Sequence, residues 1–249
     1  FCSIFFFLMI RRPPRSTLYP YATLYRSTIN STEVMTVNGT VQKTFVLTIL
    51  VLASAMWSWM NPGSLWVMIG AIGGLIAALV TIFKPTAAPI SAPIYAVLEG
   101  LFLGGISFLY AGGEGFGGIV MQAITLTIGV LFLMLFLYAS GIIKVTEKLK
   151  MGIVAATGAI FLMYLINFVM SFFGAAFFTM QDTSMTAIGI NLLIVGVAAF
   201  NLLIDFDFIE KAAAARAPKA MEWYGAFGLM ITLVWLYIEL LRLLSRLRD

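Results

Sequence analysis

The segment Ile204-Asp205-Phe206-Asp207-Phe208-Ile209-Glu210 closes an apolar block running from residue 184 to 206, and it sets three carboxylates where the chain should be leaving lipid. A block of that length supplies the roughly 20 apolar residues that a helix needs to cross a bilayer. Acid at its edge is costly unless water, a cation or a basic partner meets it, so ionisable groups here are functional candidates from the outset.

The whole chain is of the same kind. Its 249 residues are 61% hydrophobic and only 10% charged, with a mean hydropathy of +1.02. A soluble core never needs that much apolar sequence, so the composition predicts a polytopic membrane protein whose main partner is the lipid bilayer. Hydropathy resolves into blocks at 44–60, 64–83, 93–111, 117–141, 152–178, 184–206 and 221–244, which predicts an all-α domain of seven transmembrane helices. Breakers separate them: Asn61-Pro62-Gly63, Lys84-Pro85 with Pro89 and Pro93, Gly112-Gly113, Lys144 to Lys150, Gln181-Asp182, and Glu210 to Lys219.

Residues 1–34 read differently. Phe1 to Ile10 is too short to span, and Arg11-Arg12-Pro13-Pro14-Arg15 follows the apolar run, whereas a secretory signal puts its positive charge first. The string from Phe5 to Leu18 resembles translated sequencing-adapter sequence. The expectation is a non-native, adapter-derived leader or a disordered one over 1–34, with a true start near Met35 and a membrane domain over 35–249.

The net charge of +4 and isoelectric point near 9.2 come from Lys and Arg flanking the spans, which points to membrane orientation and away from nucleic acid. Lys43 precedes helix 1, Lys84 follows helix 2, Lys144, Lys148 and Lys150 follow helix 4, and Lys211, Arg216 and Lys219 follow helix 6. The opposite loops carry none, which predicts a cytoplasmic N-terminus with Glu114 and Asp182 outside. Seven crossings then leave Arg242, Arg246 and Arg248 outside, against the rule. Either the first six helices outvote the tail, or the last segment dips in and returns.

There is no histidine and one cysteine, Cys2. That removes Ser-His hydrolysis, imidazole zinc sites, imidazole pH switching and an internal disulfide, and leaves carboxylates as the groups to titrate near neutrality. The final helix has no internal lysine for a Schiff base. These features point away from an enzyme and a resident cofactor.

The candidate site residues are therefore acids and their neighbours. Glu99 lies six residues inside helix 3, about 9 Å from its start at 1.5 Å per residue, and either snorkels to the interface or lines a cavity. Asn201 and Asp205, four apart, share one helix face. Asp207 points elsewhere and pairs more naturally with Lys211. Glu222 opens the last span, and Glu239 near its end has Arg242 and Arg246 on the same face, so a surface ion cluster competes with a functional role. Lys84 by itself is a positive-inside charge. Gly70 and Gly74 on helix 2, and Gly100 and Gly104 on helix 3, mark faces where helices can approach closely.

The stretches Thr36-Val37-Asn38-Gly39-Thr40, Ala96-Val97-Leu98-Glu99-Gly100-Leu101-Phe102-Leu103-Gly104, Val154-Ala155-Ala156-Thr157-Gly158, Asp205-Phe206-Asp207-Phe208-Ile209-Glu210 and Glu222-Trp223-Tyr224-Gly225-Ala226-Phe227-Gly228 resemble, in order, the bacterial YccA-like branch of the Bax inhibitor-1 family. The resemblance runs from about Met35 to the C-terminus. It implies a seven-helix bundle with the last helix surrounded by the others, in a bacterial inner membrane. For characterised relatives it implies a pH-sensitive Ca2+ leak, in which aspartates on helices 6 and 7 share a proton and a helix 2 Arg is a partner. Asp205 matches the helix 6 acid, and Lys84 stands where the Arg would be, without its bidentate fork. Leu236-Tyr237-Ile238-Glu239-Leu240-Leu241 resembles the helix 7 segment, yet Glu239 is farther from Asp205 than the family spacing; Glu222 is on the expected side but somewhat close in sequence. The resemblance also offers a second function, a non-conducting regulator of a membrane-bound AAA protease.

Overall fold

The computed structural model describes residues 34–112, 118–173 and 184–248. Among them run seven α-helices: α1 (Val37–Met60), α2 (Ser64–Phe83), α3 (Ala88–Ala111), α4 (Ile119–Ala139), α5 (Glu147–Ser171), α6 (Met185–Ala214) and α7 (Ala220–Arg248). Each is long and apolar enough to cross a membrane. Phe45, Leu65, Ile90, Phe132 and Phe136 are all exposed, an arrangement that water would oppose and that hydrocarbon accepts. The chain is a multi-pass membrane protein.

Several helices run further than hydropathy places them, α1, α3 and α5 at their starts, α6 at its end and α7 at both, whereas α2 coincides with its block and α4 is two residues shorter at each end. α1 starts at Val37 because Thr36 caps it, its side chain accepting from Gly39 N–H at 2.9 Å. A single 3₁₀ turn, Pro85–Ala87, leads into α3, so Pro89 and Pro93 fall in the early turns of a helix that starts at Ala88. α6 continues through Asp205, Asp207 and Glu210 to Ala214. The acids therefore lie inside the helix and not at its end. Hydropathy marks where lipid stops; Lys211 and the alanines after it remain good helix formers beyond that edge. α7 is one unbroken helix of 29 residues, about 43 Å long, which leaves no place for the last segment to dip in and return.

The chain divides into two compact units. Among the described residues, one holds α1 to α3 up to Leu109, the end of α6 from Asp205, and the start of α7 to Ile231. In it, small residues let helices meet as their spacing predicts: a Cβ on Gly70 would come within 2.6 Å of Leu98 O on α3, and one on Gly104 would strike the backbone of Ala55 on α1. Thr81 Oγ1 of α2 donates to Ser91 Oγ of α3 at 2.7 Å. The other unit holds Tyr110 to Ile204 and α7 from Thr232. Of the seven helices α7 is the most buried, 78% of its most apolar window being covered, in line with a last helix enclosed by its neighbours. Glu114, Asp182 and the leader, apart from Val34, lie outside the described residues.

Candidate functional site

In the first unit the α6–α7 turn is built first by backbone. Arg216, at φ 50°, takes the left-handed conformation, while Ala217 N–H bonds to Ala212 O and Arg216 N–H to Ala213 O, both at 3.0 Å. That pair of bonds closes α6 and satisfies its last carbonyls. Ala217 O then accepts from Met35 N–H at 2.8 Å, and Val34 bridges Pro218. The turn thus grips the segment before α1.

Glu222, in the first turn of α7, completes the grip. Its Oε1 accepts from both the N–H and the Oγ1 of Thr36, each at 3.0 Å. A carboxylate there also sits favourably at the positive end of α1. Gly39 makes the approach possible, since a Cβ at that position would collide with the Glu222 carboxyl group. Lys43, one helical turn further along α1, places its ammonium over the Trp223 ring, 5.2 Å from the centroid.

The same unit contains Glu99, Asp205, Asp207 and Lys84. Glu99 is 6% exposed, which excludes snorkelling to open water, and a Cβ on Gly74 would lie 3.0 Å from its Oε2. Asp205 is likewise 6% exposed. Asp207 is buried too and pairs with Lys211 at 2.9 Å, the i,i+4 bridge that the sequence favours. Residues two apart are both covered because this end of α6 is enclosed on most sides. Lys84 is exposed at the C-cap of α2 and makes no ion pair among the described residues.

The remaining candidates, Asn201 and Glu239, belong to the second unit. Asn201 Nδ2 donates to Thr157 Oγ1 on α5 at 2.9 Å and to Val197 O at 2.8 Å. Glu239 is 2% exposed, so its ion cluster is internal and not a surface feature. Its carboxylate accepts from Tyr164 Oη at 2.8 Å, Asn191 Nδ2 at 3.0 Å, Trp235 Nε1 at 3.3 Å and Arg242 Nη1 at 3.1 Å. Arg242 Nη1 also donates to Tyr164 Oη at 2.7 Å. A buried carboxylate with a counter-charge and three neutral donors is well satisfied. Arg246 is directed elsewhere, to Ala187 O at 3.0 Å.

Sequence reasoning named Glu222 and Glu239 but not their partners Thr36, Tyr164 and Asn191. The signal for the last two was available, since lone polar residues inside apolar spans seek one another. Among the described residues no group of three acidic or thiol side chains could hold a metal ion.

No match to the chain is found among curated proteins or among solved structures. The model of one family, described as Bax inhibitor 1 like, matches residues 15–249. The chain belongs to the Bax inhibitor 1 like family.

Proposed function

We propose that the protein is a pH-sensitive cation leak of the YccA-like branch in a bacterial inner membrane, with Ca2+ as a permeant ion and Asp205 as its proton-sensitive element. The observation that carries this reading is the burial of Asp205 inside a membrane-crossing helix, in the one unit that also buries Glu99 and Glu222. On this reading Asp205 shares a proton with a second acid of that unit, because two carboxyls brought together away from water do not both ionise cheaply. Loss of that proton creates repulsion, which opens the path and presents hard oxygen ligands to a passing cation.

Glu222 suits the part of second acid better than Glu239. Both bonds from Thr36 go to Glu222 Oε1, and Glu222 lies in the same unit as Asp205. Glu239 already has Arg242 as counter-charge. The test is Ca2+ flux into liposomes across pH for wild type, Asp205→Asn and Glu222→Gln. The expected outcome is a flux that loses its pH dependence in Asp205→Asn. A pH profile unchanged by that substitution rejects Asp205 as the gate. Absence of flux at every pH, with a membrane-bound AAA protease co-purifying, would replace the leak by the regulator.

A further inference from the structure

α7 carries two arginines one turn apart, Arg242 and Arg246, and the buried carboxylate beside them, Glu239, pairs with only the first. Arg246 has no acidic partner among the described residues; its Nη1 bonds to the carbonyl of Ala187. Among the described residues, then, two guanidinium groups stand against one carboxylate. The two arginines line a cavity of about 30 Å³, together with Tyr164, Ala187, Asn191 and Ile194. By the usual allowance of about 10–15 Å³ per water-sized sphere, it has room for about two such spheres.

Three buried polar atoms of the lining residues find no hydrogen-bond partner among the described residues: Nε of Arg242, Nε of Arg246 and Oδ1 of Asn191. The orientation of the Asn191 amide is fixed by its neighbours. Its Nδ2 faces Glu239 Oε2 at 3.0 Å and Glu239 O at 3.4 Å, both acceptors, so the oxygen is necessarily the atom left over. Asn191 is itself 1% exposed. The cavity thus offers two cationic donors and one neutral acceptor between otherwise largely apolar walls.

We propose that this cavity binds one monovalent anion of halide size together with one water. The anion accepts from the two Nε–H groups, and the water donates to Asn191 Oδ1 and to the anion. The positive charge disfavours a cation, and the volume is too small for a phosphate or carboxylate group.

The test uses the full chain purified in detergent in a gluconate buffer. Chloride or bromide, substituted for gluconate at constant ionic strength, should raise the thermal unfolding midpoint saturably, and sulfate should not. In Arg246→Gln, which keeps the Glu239–Arg242 pair, halide affinity should fall about tenfold or more. Equilibrium dialysis of wild type with radiolabelled chloride should find one saturable site per chain. Equal midpoints in chloride and gluconate, no saturable site by dialysis, or an Arg246→Gln protein with wild-type halide affinity would each overturn the proposal. Should Arg246→Gln not fold, dialysis of wild type decides alone.

Discussion

Replacing Gly39 by alanine should have opposite signs in two backgrounds. Gly39 is the third residue of α1, where alanine is intrinsically preferred by about 0.8–1 kcal/mol. In wild type, however, the added Cβ collides with the Glu222 carboxyl group. Glu222 must then release Thr36, whose N–H and Oγ1 it holds at 3.0 Å. Hydrogen bonds to a charged group contribute about 1.5–3 kcal/mol each when buried. Thr36 is exposed, so the two together are taken as about 2–3 kcal/mol, including a few tenths from the helix dipole. Subtracting the propensity gain, Gly39→Ala should destabilise wild type by about 1–2 kcal/mol, and in a Glu222→Ala background it should stabilise by about 0.5–1 kcal/mol. Unfolding of the four proteins in mixed micelles with increasing denaturing detergent measures both values. The same sign in both backgrounds would refute the assignment of Glu222 as the clasp on α1.

Two further substitutions probe the rest of the framework. Arg242→Ala strips Glu239 of its buried counter-charge and should destabilise by about 3–5 kcal/mol; the double change Glu239→Gln with Arg242→Gln should be distinctly milder, and a double as unstable as the single would show that the pair's charges are not what matters. Arg216→Gly relieves the left-handed strain at φ 50° and should raise stability by about 0.5–1 kcal/mol; an unchanged or lowered unfolding midpoint would place no strain there.

Hydropathy made the seven helices legible because each crossing must be apolar for about 20 residues. Glycine spacing made the α2–α3 and α1–α3 faces legible, because only small residues allow such approach. The pairs Asp207–Lys211 and Glu239–Arg242 could be read because they lie within one helical turn. Thr36 and Glu222 could not be linked, although both stand in stretches that resemble the family, because 186 residues separate them and no periodicity connects the two. Tyr164 and Asn191 are visible as lone polar residues in apolar spans, but not as partners of Glu239, since α5 and α6 deliver them to it from 75 and 48 residues away. The ends of α6 and α7 were misplaced because a helix can outlast the hydrocarbon it crosses.

That separation also has a consequence for biogenesis. At ribosomal speeds of about 5–20 residues per second, Glu222 is made about 10–40 seconds after Thr36. From the time α3 is made, α1, α2 and α3 reside in the bilayer with the α1 N-terminus untethered and Glu99 without the α6–α7 hairpin of its own unit. A nascent chain arrested before residue 222 should therefore be an early target for membrane quality control.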